Sequence, residues 1–425
     1  MKRLEKILVQ IISTFLILYA AIVLLFSLPF MQKNLAGWVA GALSDQLKSK
    51  VEIGSINLGL LNRVIINDVV IYEPSGKQMA SIARMSANVS PSLLLTGKID
   101  IGTAQLFSVK AKLYRQTPES EPNYQFLVDA FKSEEKEEPT EINLSIGSLL
   151  MRHADISYDV LSEKKKDGLD FNHLDLKEGG MNLVLRCLTG DSINASVRHF
   201  HAKERNSGFV VSNAQLFLEG NKQSATLSSI ELSLPHSEVS VDTINVNYEN
   251  WQEKKQFSFT STPISGHITP YDLKALQPNV ATLTTPIFFN ITASGDEKEM
   301  GIGLRSNSND YAMALNGFFR LYNVLDKKTF HFNTNIETLH IDEAYMQELA
   351  DAFIEKQEEN SLIAKVKEID YKGNVGKDAD GTLSSDGTIS TAIGNADYDL
   401  TLFPEKLLTG TIVGDSINIG ALLDD

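Results

Sequence analysis

The stretch Ile230-Glu-Leu-Ser-Leu-Pro-His-Ser-Glu-Val-Ser-Val-Asp-Thr-Ile-Asn-Val-Asn-Tyr248 decides the fold. Ile230, Leu232 and Leu234, then Val239 and Val241, then Ile244, Val246 and Tyr248 stand among Glu, Ser, Asp and Asn. A period of two places apolar side chains on one face of a strand and polar ones on the other. The same alternation occurs upstream at Ile56/Leu58/Leu60 and Ile99/Ile101. Downstream it returns at Phe257/Phe259, Ile287/Phe289/Ile291, Ile302/Leu304, Phe330/Phe332, Leu400/Leu402 and Ile417/Ile419. Turn formers separate the runs, among them Pro74-Ser75-Gly76, Gly179-Gly180, Ser207-Gly208 and Asp386-Gly387. From Val51 onward the chain therefore reads as mainly β, a long succession of strands with one apolar face. Two short helices interrupt it: Tyr124, Leu127, Val128 and Phe131 form one stripe, Tyr345, Leu349, Ala350, Phe353 and Ile354 the other.

The first thirty residues follow a different rule. Ile7 to Leu28 carries no charge, and at 1.5 Å per residue it reaches about 33 Å, enough for a bilayer core. The run is too long for a signal peptide, and Ser27-Leu28-Pro29-Phe30 lacks a small-x-small cleavage site. Residues 1–30 are thus expected to be a retained transmembrane anchor. Lys2, Arg3 and Lys6 precede it and set the N-terminus on the cytoplasmic side, with the bulk of the chain beyond the membrane. Residues 31–50 read as an amphipathic helix through Leu35, Trp38, Val39, Ala42, Leu43 and Leu47. Such a helix either lies on the membrane interface with Trp38 at headgroup level, or caps the core of the following domain. Gly37 and Gly41 weaken an isolated helix and favour the cap.

Composition narrows the job. The 425 residues are 43% hydrophobic and 22% charged, and the formal net charge is −15. That charge argues against nucleic acid as a partner, because phosphate contacts need clustered cations. The single cysteine, Cys187, excludes an internal disulfide. His199-Phe200-His201 offers two imidazoles on one strand face, but no further ligand completes a metal site. No nucleophile elbow, phosphate-binding loop or dinucleotide fingerprint is present, so neither enzyme activity nor a cofactor is expected. Asp155/Asp159 is a carboxylate pair of the kind any acidic chain holds. A weak echo links His267-Ile-Thr-Pro-Tyr-Asp-Leu273, Leu339-His-Ile-Asp-Glu-Ala344 and Ser416-Ile-Asn-Ile-Gly-Ala-Leu422, each a strand end followed by a helix-like step.

Taken in order, the anchor, the amphipathic helix, Val51-Glu-Ile-Gly-Ser-Ile56, Val64-Ile-Ile-Asn-Asp-Val-Val-Ile-Tyr-Glu-Pro-Ser-Gly76, Leu93-Leu-Leu-Thr-Gly-Lys-Ile-Asp-Ile101 and Ala111-Lys-Leu-Tyr-Arg115 form a set. It resembles the AsmA-like superfamily, most closely the N-terminal part of its translocation and assembly module (TamB) branch. The resemblance implies an inner-membrane protein whose periplasmic part, residues 51–425, is one elongated antiparallel sheet curled into a groove. It implies phospholipid acyl chains as cargo and an outer-membrane β-barrel as partner. A scaffold for barrel assembly, binding by strand addition, is the alternative. The resemblance also implies chain or partner beyond Ala421-Leu-Leu-Asp-Asp425, which follows a repeat-like strand. A groove for acyl chains needs only a continuous apolar lining, and Leu232, Phe257, Phe259, Ile287, Phe289 and Ile291 are the residues expected to supply it.

Overall fold

The computed structural model describes residues 10, 13–14, 17, 21, 24, 28–58, 63–89, 100–131, 145–188, 192–249, 255–353, 365–418 and 420. Most of the expected anchor lies outside them, as do Leu60, Ile99, Ile354 and Ile419; the described positions from Gln10 to Leu24 are helical. Among the described residues no helix is long and apolar enough to cross a membrane. The chain divides into two compact units, Met1–Gly208 and Phe209–Asp425.

The first unit opens with α1 (Pro29–Leu47), whose proline stands at the helix start, where a missing N–H costs nothing. Lys48, in the left-handed conformation, ends the helix, and Ser44 Oγ accepts the Val51 N–H at 2.9 Å. The connection is short, so α1 folds back along β1 (Val51–Leu58). Strands β2 (Arg63–Tyr72), β3 (Gln78–Val89) and β4 (Asp100–Arg115) continue the sheet as antiparallel neighbours. A crossover carrying α2 (Gln125–Phe131) then returns to the starting end, and β5 (Ser145–Val160) pairs parallel to β4. Strands β6 (His173–Leu188) and β7 (Ser192–Glu204) complete the unit in antiparallel pairing. The expected all-antiparallel sheet is thereby corrected at one step: parallel neighbours need a long crossover, and residues 116–144 provide it. Leu35, Ala36, Val39, Leu43 and Leu47 of α1, with Phe126 and Leu127 of α2, pack on Val51, Ile56, Ile66, Val69, Ile82 and Val109.

Strict alternation fails across the middle of this sheet. Asp68, Ser108, His153, Glu178 and His199 all take φ between 52° and 54°, the left-handed region. The ladders break beside them: Val69 faces Ile82 and Asn67 faces Arg84, then Val109 faces Ile82 and Phe107 faces Arg84. Phe107/Arg152 and Val109/Ala154 bracket the next break. The kinks form a seam across the strands at which side-chain parity reverses. Core residues consequently sit three apart across it, as Ile53/Ile56, Ile66/Val69, Ile82/Met85, Leu106/Val109 and Met151/Ala154.

The second unit begins with β8 (Val210–Asn221), β9 (Ser224–Leu234) and β10 (Ser237–Asn247), with Pro235-His236 as the turn of the last hairpin. β11 (Ser258–Ser261) and β12 (Ile264–Ile268) are two halves of one broken strand, both held between β10 and β13 (Ile287–Asp296). Pro263, which has no N–H to give the ladder, stands in the break. An antiparallel meander follows: β14 (Glu299–Ser308), β15 (Met313–Tyr322), β16 (His331–Ile341), β17 (Ile369–Lys377), β18 (Leu383–Thr391), β19 (Gly394–Leu402) and β20 (Leu408–Asp415). Helix α3 (Glu343–Phe353) leaves the end of β16, its Tyr345 N–H bonded to Asp342 Oδ1 at 2.8 Å. The corresponding step after β12 is a 3-10 turn, Pro270–Leu273, and Gly420 after β20 is also helical, so each echoed stretch does follow a strand end.

Candidate functional site

Register shows which residues of the second unit share a face. Ile264, Gly266 and Ile268 stand opposite Ile291, Phe289 and Ile287. Ile291 in turn faces Leu304, and Phe319 faces Ile302. Leu315 meets Leu339, Gly317 meets Ile336, and Leu339 meets Tyr371. Leu383 faces Leu402, and Tyr398 faces Ile412 at the last strand. One continuous apolar face therefore runs from β12 to β20.

The sequence-derived candidates fall on this face. Leu232 enters it opposite Val239, and Phe259 opposite both Val246 and Gly295. Val239/Val241 and Ile244/Val246 have opposite parity yet share one face, because the β9–β10 ladder breaks at Ser229, φ 51°. Phe257 lies just before β11, its N–H bonded to Glu297 Oε2 at 3.1 Å. All six candidates are half-buried.

Burial distinguishes this face from a closed core. No apolar side chain of β11–β20 is fully buried, whereas Ser306 and Thr334, short residues on the same face, are. The floor of the face is covered while its large side chains stay partly open to solvent. In the first unit, by contrast, Ile56 is 2% exposed under α1. Towards β20 the face opens further, and Ile412 reaches 66% exposure.

A cluster of hydroxyl groups stands within the apolar lining. Tyr398 donates to the Tyr371 hydroxyl at 3.0 Å, and Ser385 Oγ lies 2.8 Å from Tyr398. Burial pushes the Tyr371 hydroxyl up to about 12, so it stays neutral at ordinary pH. The Tyr371 ring covers Gly387, where an added Cβ would lie 2.9 Å from ring carbon Cε2.

Trp38 is 67% exposed on α1, on the side away from the core. The helix does cap the sheet, and it leaves Phe30 and Trp38 outside. At the opposite end of the first unit the chain is locked by buried carboxylates. Glu73 accepts hydrogen bonds from Tyr114 (2.7 Å), Asn123 (3.0 Å) and Ser75 (3.0 Å). Burial would raise its carboxyl, but these bonds outweigh burial and hold it below the ordinary value of 4.5. Glu204 is treated alike by burial and by donors from Ser207, Asp175 and Asn206. Among the described residues no three His, Cys, Asp or Glu side chains gather as a metal site, and His199 stands on the seam. Ile302, Leu304, Leu400 and Leu402 appear in the sequence as alternating strand residues but not as lining candidates. The seam escaped the sequence reading; its signal is the pair of apolar residues three apart within a strand.

A unit whose sheet is backed by helices and a unit whose sheet keeps its apolar face half-buried define a β-rich class of protein. The AsmA family model matches residues 1–271, and the chain belongs to the AsmA family. That membership points to outer-membrane assembly or lipid transport and to association with a membrane. No curated protein and no solved structure matches the chain.

Proposed function

We propose that this protein, held in the inner membrane by Ile7–Leu28, carries phospholipid acyl chains along the apolar face of β12–β20 toward the outer membrane. The observation that carries the reading is the half-buried lining itself: Phe289, Ile291, Leu304 and Phe319 remain partly exposed beside the buried Ser306 and Thr334. An acyl chain makes no hydrogen-bonding demand, and each CH₂ it buries against such a lining contributes about 0.8 kcal/mol. Carrying acyl chains requires no bond to be made or broken, so the role proposed is a non-enzymatic one. The TamB-like partnership with an outer-membrane β-barrel belongs to the same proposal. A second reading, a scaffold that adds a partner's strand, draws on β20, which is exposed along its length and pairs only with β19 among the described residues.

Photo-crosslinking in cells separates the two. A benzophenone amino acid at Phe289 should capture phospholipid, while the same group at Phe288, on the opposite face, should not. Capture of protein alone at Phe289 would favour the scaffold, and equal lipid capture at both positions would remove the acyl-chain reading.

A further inference from the structure

The outward face of the first unit, opposite its helices, is divided by the seam into unlike halves. Beyond the seam toward the β2–β3 turn, Lys110, Lys112 and Lys177 mix with Asp155 and Asp175 around a cavity of about 500 Å³. Lys177 pairs with Asp175 at 3.2 Å there. Toward the β1–β2 end the composition changes. Arg63, Arg84, Arg152, Arg186 and Arg198 are all exposed, and no Asp or Glu stands among the described outward residues of that half. In a chain of net charge −15, such a field of one sign is a local inversion. Asp68 and Glu178 are on the seam itself.

Three of the arginines surround one cavity. Arg84 and Arg152 flank Phe107 in register, one strand away on either side. Arg63 joins from β2 through a 3.3 Å bond from Nη2 to Ser86 Oγ. With Gln105, Leu106 and Leu150 they line about 250 Å³. Arg63, Arg84 and Arg152 form no ion pair among the described residues. The guanidiniums therefore keep free donors in a fork geometry that suits a phosphate. Phe107 is 45% exposed between them, so the same spot also offers apolar contact.

Position favours a membrane lipid over a free anion. Helix α1, about 28 Å long, folds back along a β1 of about 27 Å. Its first residue, Pro29, is thereby brought to the β1–β2 end, the end that carries the arginines, and the apolar run Ile7–Leu28 immediately precedes it. The geometry points to this half-face as a binding site for the phosphodiester headgroup of an anionic phospholipid, gripped by Arg63, Arg84 and Arg152. The inference rests on the lipid-carrying reading for the owner of the phosphate.

The test is equilibrium binding to the full chain in nonionic detergent, with dihexanoyl phosphatidylglycerol, dihexanoyl phosphatidylcholine and inorganic phosphate as separate probes. Phosphatidylglycerol should bind more tightly than the choline lipid, and high salt should weaken it by screening. The R84Q/R152Q chain should lose at least about tenfold in affinity, and the R84K/R152K chain should recover part of it. A Phe289→Asp chain should bind the headgroup as before, which keeps this site distinct from the acyl-chain face. Equal affinity for both lipids, or none lost in R84Q/R152Q at unchanged circular dichroism, would overturn the proposal. Inorganic phosphate binding as tightly as phosphatidylglycerol would overturn it in favour of a free-anion site.

Discussion

Glu73 shows what one buried carboxylate does in this fold. It ties the end of β4 to the start of the crossover, through Tyr114 and Asn123, and so anchors the excursion that makes the parallel step possible. Its folded value lies below 4.5, so the stabilisation is fully present above 4.5 and is lost as the pH falls below it through the depressed value. Glu204 has the same sign. Urea midpoints of the full chain should fall on acidification below pH 4.5, and Glu73→Gln should lose about 1–3 kcal/mol at neutral pH with a shallower acid dependence. Gly387 is the counterpart in the second unit. Its Cβ position is occupied by the Tyr371 ring and by the Lys372 carbonyl, so Gly387→Val must displace both. A loss of about 1–3 kcal/mol is expected in thermal melts, while Gly76→Ala, with nothing near its Cβ position, should lose less even at its positive φ.

At the scale of elements, strands and short helices were legible because period two and period 3.6 are local properties of sequence. The parallel step and the seam were not. Parallel pairing depends on where a crossover returns, which no local pattern of β4 or β5 states. The seam reverses parity inside a strand, so Ile66 and Val69 read as a lapse in alternation although both face the core. Five of the six lining candidates could be found because β13 has no such kink and β11 keeps the parity of its neighbour, while Leu232 lies past the Ser229 kink within an unbroken alternating run. The seam makes its own prediction. A left-handed residue other than glycine is strained by roughly 1–2 kcal/mol. Ser108→Gly should therefore raise the urea midpoint, and Ser108→Val, with a branched side chain at φ 54°, should lower it. A straight strand at Ser108 would give the reverse order.

The two units answer the same insult differently. Ile66 is 7% exposed beneath α1, and Ile66→Asp would bury an unpaired charge at a cost of several kcal/mol, enough to unfold the first unit. Phe289 is only half-buried, so Phe289→Asp should leave circular dichroism and the melting transition nearly unchanged while abolishing lipid capture. Unfolding by Phe289→Asp would mean that the face is closed. The half-covered lining also has a calorimetric consequence. The heat-capacity increment of unfolding follows the apolar surface hidden from water, and for ordinary domains is about 12–15 cal/mol/K per residue. A sheet that keeps its large side chains partly wet releases less new surface when it melts. The second unit should therefore unfold with a smaller increment per residue and a flatter stability curve than the first. Filling the face with acyl chains should steepen that curve, since the lipid then hides the surface that the protein leaves bare.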